Sequence, residues 1–251
     1  MRRGKRESWK YMKHLTGIES HYIIKNNKKM QFGYTTGTCA AAASKAAAMM
    51  LLGGEVINYI RLKTPKGIEL DLEAVDIVRT GDYVSCAIVK DAGDDPDVTH
   101  GLKIYARVEK IDEGIVIDGG EGVGRVTRAG VEQPVGEAAI NSTPRSMISE
   151  ALKEAADGAG YKGGLKAVIS VPEGKKTAKK TFNPLLGITG GISILGTSGI
   201  VEPMSESALI KSLEIEMNQQ AACGRKYLWS HWAITVRIIW MNWIMCLSRI
   251  Q

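Results

Sequence analysis

Gly33-Tyr34-Thr35-Thr36-Gly37-Thr38-Cys39-Ala40-Ala41-Ala42-Ala43-Ser44-Lys45-Ala46-Ala47-Ala48-Met49-Met50-Leu51-Leu52-Gly53-Gly54 holds the strongest helix propensity in the chain. Thr38 offers an N-cap and Gly53-Gly54 a stop, so the expected helix runs from Thr38 to Leu52. On its N-terminal side, Tyr22 to Ile24 reads as a short strand before an Asn26-Asn27 turn. On its C-terminal side come alternating, β-branched segments at Val56 to Lys63, Ile68 to Val78, Tyr83 to Val89, Leu102 to Val108 and Ile115 to Ile117. They predict a largely antiparallel or mixed sheet.

A second helix is expected over Pro144 to Ala156, then a strand over Leu165 to Val171 and a short basic helix over Lys175 to Phe182. Beyond Asn183-Pro184 the texture changes. An apolar strand, Ile192 to Leu195, leads through Gly196-Thr197-Ser198-Gly199 to a helix from about Glu206 to Gln219. Strand, glycine turn and helix in that order open an α/β unit, which puts a domain boundary near 185–191. The expected organisation is a basic disordered extension over 1–20, an α+β domain over 21–190, the start of a smaller α/β domain over 191–227, and an apolar tail over 228–251.

Composition excludes several classes. The chain has 251 residues, 44% of them hydrophobic, and a net charge of +6, the make-up of a soluble globular protein with room for a core. The basicity belongs to the ends: residues 1–30 hold nine Lys/Arg and two acids, and 221–251 hold four basic residues and no acid. Residues 31–220 are therefore net −5, which favours a solvated tail over a nucleic-acid partner. The four cysteines, at 39, 86, 223 and 246, form no Cys-x-x-Cys pair and do not cluster with the histidines at 14, 21, 100 and 231. No zinc-finger site, disulfide framework or signal peptide is indicated, and a cytoplasmic protein is expected.

Three segments carry chemistry, each with a bland alternative. Tyr34, Thr35, Thr36, Gly37 and Thr38 lead into the Ala-rich helix, where free N–H groups attract anions; a simply capped helix has the same sequence. Asp91 to Gly101 packs Asp91, Asp94, Asp95, Asp97 and His100 together, suited to acid–base work and equally to a solvated turn. Gly196, Thr197, Ser198 and Gly199, followed by Glu202, read as a ligand turn at a strand end, with Glu202 placed to accept ribose hydroxyls. Gly119 to Val126 resembles nucleotide loops but fails both patterns at Arg125 and Val126, leaving a flexible turn. Lys175, Lys176, Lys179 and Lys180 either meet an anionic substrate or form a solvated face.

In order and spelling the chain resembles the CbiD family, the cobalt-precorrin-5B (C-1)-methyltransferases. The resemblance covers about Tyr22 to Gln220. It rests on Gly33 to Ala42, Asp91 to Gly101, Gly119 to Arg128, Glu132 to Asn141, and Lys179 to Ser205. It implies an α+β first domain with a ribosomal-protein-like βαβ arrangement, followed by a smaller α/β domain. It also implies methyl transfer from S-adenosylmethionine to a tetrapyrrole that brings its own cobalt, with no protein-bound metal, nucleic acid or membrane partner. On that basis Asp94, Asp95, Asp97 and His100 are expected at the reaction centre, Gly196 to Gly199 and Glu202 at the methyl donor, and Tyr34 to Thr38 at the substrate. The competing expectation is a non-catalytic, truncated remnant that at most binds the corrinoid.

The tail departs from the family pattern. Four of the five tryptophans fall between Trp229 and Trp243, and His231, Arg237 and Asn242 interrupt the stretch before it reaches the length of about 20 apolar residues that a membrane span requires. Because Trp and Met have single codons, a shifted frame across His231-Trp232-Ala233 spells Leu-Gly, and one across Trp240 to Ile244 spells Asp-Glu-Leu-Asp. A frameshift just before Leu228 is the expectation. Sequencing the coding DNA upstream of that codon, with the intact mass of the native product, is expected to reveal a single-base slip; a confirmed 251-residue product would refute it.

Overall fold

The computed structural model describes residues 14–206 and, beyond them, residues 210, 213, 214, 217 and 218. Strands β1 (Tyr22–Lys25) and β2 (Lys28–Gln31) form a hairpin whose turn residues Asn26 and Asn27 both take positive φ, 51° and 57°. That is the two-residue turn whose twist suits a hairpin, and asparagine tolerates it. The short β3 (Gly33–Tyr34) feeds α1 (Thr36–Gly53), followed by β4 (Tyr59–Lys63), β5 (Glu69–Glu73), β6 (Val75–Arg79), β7 (Tyr83–Val89), β8 (Lys103–Ile111) and β9 (Ile115–Gly119). Then come β10 (Arg125–Val126), α2 (Ser142–Gly158), β11 (Gly164–Ser170), α3 (Gly174–Ala178), β12 (Ile188–Thr189) and β13 (Ile200–Val201).

The main sheet has five strands in the order β6-β7-β8-β11-β9, antiparallel except for the parallel pair β11/β9. It is the mixed sheet that the alternating segments predict, and β9, α2 and β11 form a βαβ unit within it. Val84, Cys86 and Ile88 of β7 alternate onto the helix-facing side with Ile104, Ala106 and Val108 of β8, all buried. Helix α1 packs against β7, β8 and α2. Being almost all small residues, it is buried around its circumference from Thr36 to Ala48, which lets sheet and helix approach it closely. A Cβ on Gly37 would lie 2.8 Å from Pro144 of α2.

Several expectations shift. The cap of α1 is Thr35, three residues earlier than Thr38, and Gly54 closes the helix in the left-handed region with φ 78°. The segment Ile68 to Val78 splits at Ala74: β5 pairs with β4 in a two-stranded sheet, whereas β6 joins the main sheet through a bulge at which Asp76 has φ 52°. Residues 14–20 are built in rather than forming the end of a disordered extension. Ile18 is buried, His14 Nε2 bonds Asp71 O, and Glu19 accepts from the Thr16 and Gly17 N–H groups.

Residues beyond the expected boundary at 185–191 still pack on elements that precede it. Ile192, Ile194 and Ile200 lie in the same core as α1, and β13 pairs with β3. Ile192 and Ile194 make isolated bridges to Val123 and Ile140 instead of forming a sheet strand. Helix α3 spans Gly174–Ala178, shorter than the expected Lys175 to Phe182. The described residues of the next helix, from Glu206 to Asn218, are helical. Residues 1–13 and the expected tail over 228–251 lie outside the described residues. Among the described residues no helix is long and apolar enough to cross a membrane.

The Gly119 to Gly124 loop is a packing joint, not a flexible turn. A Cβ on Gly122 would lie 1.7 Å from Val171 O, and Cβ atoms on Gly174 and Gly191 would each lie 2.0 Å from Gly122 O. Three backbones meet there with no space for side chains. Gly122→Ala, with φ 72° as well, is expected to cost about 3 kcal/mol or more, against about 1 kcal/mol for Gly67→Ala, where φ is 86° but the space is open. Urea denaturation of the two variants measures this, and equal losses would contradict it.

Candidate functional site

The start of α1 is buried, so its polar groups need partners from the protein itself. Thr35 is extended, and its Oγ1 accepts from Thr38 N at 3.2 Å. Gly37 N donates to Leu195 O at 2.9 Å, and Cys39 N to Thr35 O at 3.1 Å. Thr36 Oγ1 donates to Leu195 O and accepts from Leu195 N, while Thr38 Oγ1 and Thr35 N both donate to Gly199 O, at 2.6 and 3.0 Å. The N–H groups of Gly37, Thr38 and Cys39 are thus taken within the chain, which removes the free-donor argument for anion binding at this turn. Tyr34 OH donates to Val89 O, and burial raises its phenol above the ordinary range. Burial also pushes the Cys39 thiol up to about 12, so neither residue is an anion at neutral pH.

The Gly196 to Gly199 turn lies flat against that cap. A Cβ on Gly196 would lie 2.2 Å from Thr35 Oγ1, and one on Gly199 would lie 2.9 Å from Thr64 Cβ. The turn follows Ile192 to Leu195, expected as a strand, which makes only isolated parallel bridges at Ile192 and Ile194, and it leads into β13. Thr197 at its tip is exposed. Ser198 O accepts from Lys66 N, and Glu202 Oε1 is paired with the Lys66 ammonium, which also stands 5.1 Å from the Phe32 ring centroid. Beside the turn, a cleft of about 400 Å³ runs between the β4–β5 turn and α2, lined in part by Thr64, Pro65, Thr143, Ser146, Glu150 and Glu154.

The acidic loop joins the same place from the other side of β3. Tyr34 N donates to Asp91 O, and a Cβ on Gly33 would lie 2.3 Å from Ala92 C. Its carboxylates diverge to separate partners. Asp94 Oδ2 accepts from Gln31 N at 2.6 Å, and Asp95 Oδ1 from Met204 N at 2.9 Å. Met204 has φ 56° and its carbonyl accepts from Lys25 Nζ, so both of its backbone groups are pinned by charged side chains. Among the described residues no three of His, Cys, Asp and Glu group as a cation site.

Asp97 Oδ1 accepts from Thr99 N and Thr99 Oγ1, and its Oδ2 lies 3.2 Å from Lys90 Nζ. Burial opposes ionisation of Asp97, but the Lys90 ammonium and the Thr99 bonds outweigh it and hold the carboxyl below its usual range. At neutral pH it is an anion committed to Lys90, not a proton carrier. His100 differs: Ala92 N donates to its Nδ1 at 3.1 Å, Asp91 Oδ1 stands 3.6 Å from the same atom, and the side chain is 57% exposed. In the neutral ring the proton therefore sits on Nε2, the nitrogen that makes neither contact.

The structure thus gathers the three sequence-predicted groups around one helix end. It adds Lys25, Lys66 and Lys90, which sequence reasoning did not single out. Lys90 carried a signal: it continues the inward register of Val84, Cys86 and Ile88 and is 1% exposed, so a buried anion was required.

The CbiD family model matches residues 23–203. The cobalt-precorrin-5B C(1)-methyltransferase of Ruminiclostridium cellulolyticum is 57% identical over 206 residues, covering 82% of this chain and 54% of that protein. The enzyme of the same name from Thermoanaerobacter sp. (strain X514) is 56% identical over 207 residues, covering 82% of this chain and 56% of that one. The chain spans about half the length of these curated relatives. Among solved structures, the cobalamin biosynthesis protein CbiD from Archaeoglobus fulgidus is similar with a TM-score of 0.57 at 34% identity, covering 79% of this chain and 64% of that one.

The Lys90–Asp97 pair sets a stability test. Asp97→Asn leaves a buried lysine without its anion and is expected to cost roughly 3 kcal/mol at pH 7, more than Lys90→Met, which removes the buried charge itself. The folded carboxyl lies below its unfolded value of about 3.9, so its contribution is complete above that pH and vanishes as pH falls through the folded value. The gap between parent and Asp97→Asn should therefore close on acidification. Denaturation curves at neutral and acid pH check this, and a gap that does not change with pH would count against the pairing.

Proposed function

This chain belongs to the CbiD family, and on that premise we propose that it transfers a methyl group from S-adenosylmethionine to C-1 of cobalt-precorrin-5B, giving cobalt-precorrin-6A, in cytoplasmic cobalamin biosynthesis. The observation that carries the reading is 57% identity over 206 residues to a relative named for this reaction. The convergence of three motifs on the start of α1 supports a site there. The cobalt travels with the substrate.

In this transfer a substrate carbon attacks the sulfonium methyl, the new C–C bond forms as the S–C bond breaks, and sulfur leaves with the electron pair as a neutral thioether. The protein has to align the two carbons and manage one proton. His100 donates a hydrogen bond from Nε2–H to the substrate, with the Ala92 N–H fixing its ring through Nδ1, and the proton that the reaction releases leaves to water. Asp97 holds the loop through Lys90, and Asp94 and Asp95 tie it to β2 and to Met204. The Tyr34 to Thr38 turn is the floor of the substrate site rather than an anion hole. The donor lies against Gly196 to Gly199, where Glu202 Oε2, the oxygen that Lys66 does not take, accepts ribose hydroxyls.

The test is transfer of labelled methyl from S-adenosylmethionine to cobalt-precorrin-5B by the full chain. His100→Ala should lower kcat roughly 100-fold at little change in KM, and Glu202→Gln should weaken donor binding about tenfold while sparing kcat. Unchanged turnover in the first or unchanged donor affinity in the second overturns that assignment. Corrinoid binding with no label transferred by the parent would favour the non-catalytic reading.

A further inference from the structure

Five lysines among the described residues are matched to carboxylates: Lys45 to Glu154, Lys66 to Glu202, Lys90 to Asp97, Lys103 to Asp76 and Lys166 to Glu109. Lys175, Lys176, Lys179 and Lys180 instead crowd four cations into one short run. All four are exposed, and none has an ion pair among the described residues. Residues 174–201 contain these four lysines and no acidic residue, in a stretch of chain from 31 to 220 whose net charge is −5. The nearest carboxylate in sequence, Glu173, precedes the run.

The lysines are also held rigidly. Gly174 is locked against Gly122 O, Thr177 and Ala178 are buried, and buried Asn183 bonds Gly191 O and Ser193 just beyond the run. Ser193 lies two residues before Leu195, whose carbonyl accepts from Gly37 at the start of α1, so the run is tied to the candidate site through a short packed connection. Beside the lysines, Phe182 and Leu185 are 51% and 61% exposed. Both follow the lysines directly in sequence, so partly exposed apolar surface adjoins the cationic run.

We propose that Lys175, Lys176, Lys179 and Lys180, with Phe182 and Leu185, form a contact surface for a polycarboxylate corrinoid. The cations meet its peripheral carboxylates and the two apolar side chains meet its ring. The inference rests on the functional reading above and adds a binding surface to it. Charge complementarity selects this occupant: a large ring fringed with carboxylates offers several anions at once to a fixed row of cations, and exposed pairs of this kind act together more than singly.

Two corrinoid probes separate charge from shape: cobyrinic acid, with free side-chain carboxylates, and cobinamide, in which they are amidated. Binding to the full chain is measured by equilibrium dialysis, read by the corrinoid's own visible absorbance, at low and high salt, for the parent, for the variant with all four lysines changed to Gln, and for the one with all four changed to Arg. Cobyrinic acid should bind the parent in a salt-sensitive way, about tenfold more weakly to the Gln variant at 0.05 M salt, and with the difference shrinking at 0.5 M. The Arg variant should bind as the parent does, and cobinamide should not distinguish the three. Because all four positions are exposed, circular dichroism should show an unaltered fold. A parent and Gln variant with the same affinity and salt dependence for cobyrinic acid overturn the surface and leave the functional reading standing. A parent that binds neither corrinoid overturns both.

Discussion

A fully buried helix start is the constraint on which the rest of the structure depends. Helix α1 can lie inside the molecule because its side chains are small, but its first N–H groups then have no water to bond. Thr35, Thr36 and Thr38 and the carbonyls of Leu195 and Gly199 supply the partners. Residues 160 positions downstream are therefore part of the helix's cap. That requirement brings β13 onto β3 and sets Met204 beside the acidic loop.

The glycines in these motifs serve close approach. Gly33, Gly93 and Gly196 each sit where a Cβ would come within 2.3 Å of another segment's atom. A glycine turn beside a helix start invites a ligand reading, because the same absence of side chains admits a phosphate or a neighbouring backbone. Here the chain's own atoms occupy the space, the Thr35 side chain at Gly196 and neighbouring backbone at Gly33 and Gly93. The same holds at Gly122, where the loop that reads as a near-miss nucleotide motif is a three-way backbone junction.

This explains what was legible in the sequence. Local signals gave the Ala-rich helix, the bounds of β7, the Asn26-Asn27 turn and the mixed sheet, because propensity and turn chemistry act within a few residues. The break between β5 and β6 was hidden, since alternation continues through Ala74 and only the bulge at Asp76 reassigns the second half to another sheet. The candidate residues were legible as motifs, but their division of labour was not. Asp94, Asp95 and Asp97 look alike in sequence; they differ by partners at Gln31, Met204 and Lys90, two of which lie more than 60 residues away. A change of texture at 185–191 likewise says nothing about which core the following isoleucines enter, and Ile192, Ile194 and Ile200 lie with α1.

The charges follow from the cap as well. With the donors of Gly37, Thr38 and Cys39 already bonded, the helix start has little left to offer an anion, and anion recognition passes to side-chain cations. Lys66 is committed to Glu202, Lys90 to Asp97 and Lys25 to the Met204 carbonyl. Each of those commitments fixes a segment of the candidate site, and releasing any of them to bind substrate would loosen the geometry that the chemistry needs. A protein that spends its internal cations on its own architecture has to meet a polyanionic substrate with lysines that have no structural duty, and the run from Lys175 to Lys180 is exposed, uncompensated and anchored from beneath.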